Sequence, residues 1–259
     1  MRNFDAQVSY RVMLSQDEVN HHGADWEKEA LNELQERLGA GSDFPCIFSK
    51  NAFKKSSIKF VFVDTLDAQG LAKLAEGLKE YVTLSRTWSG SIEDAYPLIV
   101  FFSTDAISAS TAQDYQAAGW GVLQSLHWLD ESPWPDSVDV DPESPFWSMC
   151  FAGMQLFVNM SSPAHKLRKS RNLGSRFALV INPRERFDVF AGDTVGGRNV
   201  RANIRKRILK YDSVPHALQL GGFGSDAKEW WQYGLIEENA ERTDVCPFKH
   251  SSHENKEEA

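Results

Sequence analysis

The sequence contains little cysteine and no long apolar run. Only three of its 259 residues are cysteines, an odd number at wide spacing, which argues against a disulfide framework and against a paired-cysteine zinc site. No apolar stretch approaches the roughly 20 residues that a membrane-spanning helix needs, and the N-terminus has no apolar signal-peptide segment. These absences predict a cytoplasmic protein with reduced thiols and no membrane partner.

Positive charge is scarce over most of the chain. The net charge of −8 argues against nucleic acid as a partner, because nucleic-acid binding needs a basic surface. Residues 163–210 are the exception, with 13 Lys or Arg against three Asp or Glu, which leaves 15 basic and 33 acidic residues elsewhere. Such a run is typical either of a solvated helix face balanced by neighbouring acids or of a site for an anion.

The well-known catalytic motifs are also missing. The chain has no glycine-rich dinucleotide or phosphate loop, no nucleophile elbow and no zinc-protease helix. The cysteines lie among large apolar residues, where a thiol is a poor nucleophile. Function must therefore be sought in less specific features.

Apolar residues are plentiful, at 42% of the chain with 16 Phe and eight Trp, which is enough for a large core. Runs of β-branched and aromatic residues predict four strands, at 58–63, 97–102, 154–160 and 177–182. Helical spacing of apolar residues predicts helices at 17–38, 67–81, 112–129 and 200–211. This order favours an α/β fold (α+β mixed) with a modest, mainly buried sheet. We expect one domain over residues 1–250 and a disordered polar tail at 251–259.

The segment 157–171, FVNMSSPAHKLRKSR, carries the most functional information. An apolar strand leads to Ser162, a predicted helix N-cap, and to Pro163, which suits the first helical position. His165 would then lie in the first turn of a short helix. Arg168 would share its face at i+3, and Arg171 would follow about a turn further on.

An imidazole beside two guanidiniums favours an anionic ligand. Repulsion from the arginines is expected to lower the pKa of His165 and keep the ring neutral, the form that binds metals. Haem would use both features, an axial histidine for iron and arginines for the two propionates. A phosphorylated ligand would suit the same residues equally well. His127 and His216 are the alternative histidines.

A family resemblance covers nearly the whole chain. Its segments occur in the order FPCIFSKNAFKKSSIKFVFVD, LHWLDESPWP, WSMCFAG with FVNMSSPAHKLRKSR, INPRERFDVF, RANIRKRILKYDSVP, GGFGSDAKEWWQYGLI and CPF. In this order the chain resembles the YqcI/YcgG family, and the run FVNMSSPAH with VINPRERFD is similar to its guanitoxin-biosynthesis branch.

The resemblance implies a haem-dependent N-hydroxylase, a monooxygenase of specialised metabolism that uses haem b, dioxygen and external electrons. Its substrate would be a guanidine or amine, such as an arginine-like small molecule, and an electron-donor reductase would be its partner. The family's histidine ligand to iron is placed at His165, with His127 and His216 as alternatives. Arg168 and Arg171 would bind the cofactor's propionates.

One position departs from the family pattern. Many relatives have FAGE where this chain has FAGM, ending in Met154. A carboxylate there could bind a substrate guanidinium, so its loss argues against arginine itself. Glu229, Asp188 or Asp212 would then have to supply the carboxylate.

Two other classes of function use the same residues. A non-catalytic haem or anionic small-molecule sensor would need the same histidine and arginines without turnover. An interaction module would use the basic segment to meet acidic surface of the chain or of a second subunit. A chain with this aromatic content would also form a homodimer if it exposed an apolar patch.

Overall fold

A computed structural model describes residues 11–221 and 228–251, so most of the predicted tail lies outside the described residues. Within them the chain forms six strands and eight α-helices. The strands are β1 (Leu14–Ser15), β2 (Lys59–Val63), β3 (Leu98–Phe102), β4 (Met149–Phe151), β5 (Met154–Ser161) and β6 (Ala178–Pro183). The helices are α1 (Gln16–His22), α2 (Asp25–Leu38), α3 (Ile47–Lys54), α4 (Ala68–Ser85), α5 (Ala112–Leu129), α6 (Arg184–Ala191), α7 (Val195–Tyr211) and α8 (Glu229–Tyr233).

The strands form one mixed sheet in the order β1-β2-β3-β6-β5-β4. Strands β2 and β3 are parallel and are joined through α4, while the other neighbours are antiparallel. A parallel pair needs such a crossover, because a tight turn can join only antiparallel strands. The α/β prediction of a single domain with a modest sheet is confirmed.

Both faces of the sheet are covered because side chains alternate along each strand. Val61 and Val63 of β2 pack with α4, α5 and α8 in one core. Phe60 and Phe62 point the other way, into a second core formed with α1, α2 and α3. The central strands β2 and β3 are apolar on both faces, which explains why their sequences read as continuous hydrophobic runs.

Several predicted boundaries are wrong. The predicted helix at 17–38 is two helices, because the chain is extended at Gly23, where a Cβ would lie 2.6 Å from the Val19 carbonyl oxygen. A capping box between Ser15 and Glu18 starts the first of them. Strands β1 and β4 were not predicted, since two and three residues are too short to show a period.

A tight hairpin joins β4 to β5. Its two turn residues, Ala152 and Gly153, have φ values of +49° and +69°, as the turn type favoured by twisted strands requires. The backbone N–H of Ala152 donates to the Asp130 carboxylate at 2.8 Å, and its carbonyl accepts from Arg86 at 2.7 Å. Met154 therefore begins β5 at the hairpin end of the sheet.

Helix α7 differs from the other long helices in its packing. Gly197 is the one buried residue along its 17 positions. The prediction of a basic helix at 200–211 is confirmed, although the helix starts five residues earlier. In the described part of the chain, no helix combines the length and apolar character required to cross a bilayer.

Candidate functional site

The loop that follows β5 contains all three residues of the predicted site. We call residues 162–171 the His165 loop. Its ends are joined by a hydrogen bond of 2.9 Å from the Ser162 backbone N–H to the Arg171 carbonyl. The His165 N–H donates to the Ser162 carbonyl at 3.3 Å, which turns the chain tightly. His165, Arg168 and Arg171 are all buried.

The predicted short helix is wrong. Ser162 does not act as an N-cap, since its buried Oγ has no hydrogen-bond partner among the described residues. The helical segment of the loop is a single 3-10 turn at Lys169–Arg171. The backbone N–H groups of Lys166, Leu167 and Arg168 donate instead to the Glu237 carboxylate, at 3.0, 2.8 and 3.4 Å. A carboxylate about 70 residues away thus takes the donors that a helix would have used.

Glu237 also holds the His165 ring. Its Oε1 lies 2.6 Å from Nδ1 of His165, a distance typical of a charge-assisted hydrogen bond. With the carboxylate ionised, Nδ1 carries the proton and donates it, so Nε2 keeps its lone pair. No polar atom of the described residues contacts this Nε2. An imidazole fixed by a carboxylate through one nitrogen is the usual arrangement of a metal-binding histidine.

The protonation states of this pair follow from their surroundings. Burial lowers the pKa of His165, against the opposing effect of Glu237, and Arg171 and Arg168 lower it further. Burial opposes ionisation of Glu237, yet the hydrogen bonds from Leu167 and His165 bring its pKa below the ordinary value. The result is a neutral imidazole beside an ionised carboxylate. The predicted neutral ring is supported, with burial rather than repulsion as the main cause.

Arg168 is 1% exposed, and its donors are used within the protein. Nε donates to the Ile236 carbonyl at 2.6 Å and Nη1 to the Pro215 carbonyl at 3.0 Å. Nη2 lies 3.3 Å from the Asn239 side chain and 3.4 Å from the Glu238 carbonyl. These contacts tie the loop to the segment that carries Glu237, and they favour a structural role for Arg168.

Arg171 is buried without such partners. It is 7% exposed, and its Nη1 has no hydrogen-bond partner in the described part of the chain. Burial lowers its pKa to about 10, and Arg168 adds to the effect, whereas Asp212 opposes it. A buried guanidinium without a bound carboxylate is costly, and this cost would be relieved by an anionic ligand.

The two alternative histidines lie in different surroundings. His127, at the end of α5, is buried among rings, with the centroid of Phe248 at 5.0 Å and that of Trp134 at 5.6 Å. Its Nε2 accepts the Ser251 backbone N–H at 3.1 Å, so this lone pair is already in use. His216 is exposed in the segment after α7. Both residues lie outside the His165 loop.

A second polar cluster lies near the opposite end of β5. Its carboxylate, Glu229, is 2% exposed and accepts from Arg184 at 2.7 Å, from Ser148 at 2.7 Å and from Tyr233 at 3.0 Å. Burial raises the pKa of Glu229, against the effect of Arg184. We call these four residues the Glu229 cluster. Glu229, predicted as a substitute substrate carboxylate, already binds a guanidinium of its own chain.

The other predicted carboxylates are also placed by the structure. Asp188 is exposed and pairs with Arg184 at 3.3 Å. Asp212 follows α7 and accepts from the backbone N–H and the hydroxyl of Ser170, at 2.7 and 2.8 Å. Of the three, Asp212 alone contacts the His165 loop.

Met154 is remote from His165. It is the first residue of the eight-residue strand β5, and the His165 loop begins directly after the last. At about 3.3 Å per residue the two ends of this strand are about 20 Å apart. A methionine at position 154 therefore has no direct bearing on a substrate bound at His165.

Glu237 is the site residue that sequence reasoning missed. It belongs to the segment GLIEENAE, where acidic residues are common and nothing distinguishes one glutamate. Only the fold identifies Glu237, because it brings this segment to the backbone of a loop about 70 residues earlier. Among the described residues no three His, Cys, Asp or Glu side chains gather as a metal-binding group.

Known proteins are similar in sequence to this chain over most of its length. A family model described as the YqcI/YcgG family matches residues 34–249. A Streptomyces lavendulae protein with the name "Putative N(omega)-hydroxy-L-arginine synthase DcsA" is 56% identical over 236 residues, covering 91% of this chain and 89% of the relative. The Bacillus subtilis proteins YqcI and YcgG are 34% and 33% identical, over 86% and 87% of this chain and 87% and 89% of theirs. No solved structure matches.

Proposed function

The chain belongs to the YqcI/YcgG family, and we propose that it is a haem-dependent N-hydroxylase of the arginine guanidine group. The relative from Streptomyces is named for the synthesis of N(omega)-hydroxy-L-arginine, which supports both the reaction and the substrate. The observation that supports the cofactor assignment is His165, a buried neutral imidazole whose Nδ1 is held by Glu237 at 2.6 Å. Its Nε2 makes no hydrogen bond to the residues that the structure describes.

The residues of the His165 loop fit haem b. Iron in haem takes one axial histidine, and the two propionates are carboxylates that pair with arginine. His165 would bind the iron through Nε2. Arg171, which is buried and whose Nη1 has no hydrogen-bond partner among the described residues, would bind a propionate. Arg168 fits less well, because its donors already bind main-chain carbonyls.

When bound, the haem would supply the activation of dioxygen. The overall reaction converts a guanidine N–H to N–OH, with the second oxygen atom leaving as water and two external electrons and two protons consumed. Glu237 orients the imidazole and keeps its proton on Nδ1. The lowered pKa of His165 keeps Nε2 unprotonated in neutral solution. An electron-donor protein would supply the two external electrons.

The test of this function is product formation by protein loaded with hemin. L-arginine, labelled dioxygen, NADPH, a ferredoxin reductase and a plant-type ferredoxin would be supplied, and N(omega)-hydroxy-L-arginine would be measured by mass spectrometry. We expect one labelled oxygen atom per product molecule. The His216→Ala variant is the matched control and should retain activity. A stable oxygen complex without product would instead support the haem sensor, and failure to bind hemin would refute both functions.

A further inference from the structure

Helix α7 is the most exposed long helix of the described chain, and all of its charges are positive. It carries six cations and no acid along 17 residues. Four of the cations are engaged locally. Arg198 and Arg201 pair with Asp193, Arg205 donates to the Leu220 carbonyl, and Arg207 donates to the Phe44 carbonyl.

The remaining two cations, Lys206 and Lys210, lie four residues apart on one face of the helix. Both are exposed, and neither ammonium binds a partner among the residues that the structure describes. They border a surface groove of about 350 Å³ between α7 and α3, whose apolar lining comes from Ile47 and Ile204. Asn203 and Arg207 complete the lining. The groove thus combines apolar and cationic side chains, and we call it the α7 groove.

The α7 groove lies next to the His165 loop. Asp212, two residues after Lys210, accepts two hydrogen bonds from Ser170 of that loop at 2.7 and 2.8 Å. The Ser213 N–H donates to the Leu167 carbonyl at 2.8 Å. The loop contributes two further exposed cations, Lys166 and Lys169. A partner seated in the groove would approach the protein on the side where His165 is attached.

We propose that the α7 groove is the docking surface for a small acidic electron-transfer protein. The inference rests on the proposed function, which consumes two external electrons. Charge complementarity selects the partner: outside residues 163–210 the chain has 15 basic and 33 acidic residues, so an acidic protein is repelled by most of the surface and attracted here. Apolar side chains beside charged ones, as in this groove, are usual in a docking interface.

Other occupants fit the groove less well. A two-fold contact between two copies would place α7 against α7 and bring like charges together. Nucleic acid would meet the cations but has no use for the apolar side chains of Ile47 and Ile204, and the net charge of −8 opposes its approach. Electron-transfer contacts are small, below about 1,200 Å², which suits one exposed helix face.

The test compares two double variants of the full chain with equal changes of charge. Lys206→Glu/Lys210→Glu alters the groove, and Lys73→Glu/Lys249→Glu alters exposed lysines elsewhere. Calorimetry with a plant-type [2Fe–2S] ferredoxin measures binding with and without hemin. At about 50 mM salt we expect the groove variant to weaken binding about tenfold or more and to slow ferredoxin-driven haem reduction similarly. The control should stay within about twofold, and dithionite should reduce every hemin-loaded variant equally.

Equal ferredoxin binding by both variants would overturn the proposal. So would a wild-type dimer that the groove variant dissociates without effect on ferredoxin, or retention of duplex DNA together with no ferredoxin binding. The calorimetric measurement separates this proposal from the function on which it rests. A protein that binds ferredoxin through Lys206 and Lys210 but takes up no hemin would refute the hydroxylase and leave the docking surface standing.

Discussion

Two buried polar clusters lie towards opposite ends of strand β5, and they differ in whether their hydrogen bonds are complete. In the Glu229 cluster the carboxylate, the Arg184 guanidinium and the two hydroxyls satisfy one another. In the His165 loop, Nη1 of Arg171 and Oγ of Ser162 are buried and have no hydrogen-bond partner in the described chain. His165 is bound to Glu237 through Nδ1, and Nε2 makes no hydrogen bond to the described residues.

We interpret this difference as one between a structural cluster and a proposed ligand site. Buried polar groups in native proteins are usually hydrogen-bonded, so the unpaired atoms of Arg171 and Ser162 need a reason. Such atoms are not confined to this loop, since Nε and Nη2 of Arg186 are also unpaired among the described residues. Because Arg184 and Glu229 already bind each other, they offer few unused donors or acceptors to a ligand. The open acceptor of His165 and the open donor of Arg171 would suit the iron and a propionate of the proposed haem.

The largest expected effect is on the closed cluster. Glu229→Ala removes the buried carboxylate that accepts from the Arg184 guanidinium at 2.7 Å and should lower the free energy of unfolding by about 3–5 kcal/mol. The measurement is urea denaturation. The double variant Arg184→Met/Glu229→Leu removes both charges and should recover most of the loss. If Glu229→Ala is as stable as wild type, the Glu229 carboxylate does not stabilise the buried Arg184.

The second prediction contrasts the two arginines of the His165 loop. Arg168→Leu breaks its bonds to main-chain carbonyls and should cost about 3 kcal/mol of unfolding free energy. Arg171→Leu removes an unpaired buried cation and should leave the cofactor-free protein within about 1 kcal/mol of wild type, or more stable. Urea denaturation of both variants measures the contrast. Equal losses would show that Arg171 has a partner inside the protein.

Comparing the binding of hemin and of its dimethyl ester tests the role of Arg171 in a second way. Wild type should bind hemin more tightly than its dimethyl ester, because esterification removes the propionate charges that Arg171 would pair with. Arg171→Leu should lose this preference. If the variant still discriminates between the two ligands, the propionate is bound by another residue.

The third prediction concerns the carboxylate behind the histidine. Glu237→Gln keeps the size of the side chain but removes its charge, and should weaken hemin binding about 10- to 100-fold, as loss of such a partner does at other metal sites. A hemin titration measures it. The neighbouring exposed glutamate provides the matched control, since Glu238→Gln should bind hemin like wild type. Equal affinities for both variants would remove Glu237 from the site.

The fold was predictable from the sequence where segments are long and uniformly apolar. Strands β2 and β3 are buried on both faces, so their composition alone identifies them, and helix α5 was predicted to its exact bounds of Ala112–Leu129. The split at Gly23 and the two- and three-residue strands depend on tertiary contacts and leave no periodic signal.

The candidate site was predictable only in part, for a related reason. His165 and Arg171 stood out because a histidine among cations is unusual at the end of a strand. The role of Glu237 could not be predicted, because a glutamate 70 residues away replaces the predicted helix by accepting the N–H groups of Lys166, Leu167 and Arg168. Local helix signals at Ser162 and Pro163 were outweighed by this long-range contact.

The smallest expected effect is on pH dependence. Burial lowers the pKa of His165, so the ring stays neutral in the folded state while the unfolded chain takes up a proton as the pH falls below 6.5. Its contribution to stability is therefore complete above that pH and is lost as the pH falls towards the folded value. Between about pH 7 and 5, cofactor-free wild type should lose more unfolding free energy than His165→Gln. Identical slopes would mean that the ring protonates freely in the folded protein.

The most direct measurement is the absorption spectrum of hemin-loaded protein beside single histidine variants. The open lone pair of His165 predicts that wild type, His127→Ala and His216→Ala share a histidine-ligated Soret spectrum and that His165→Ala loses it. Imidazole added to His165→Ala should restore the spectrum by replacing the missing ring. An unchanged spectrum in His165→Ala, with the loss in one of the other two variants, would contradict the account.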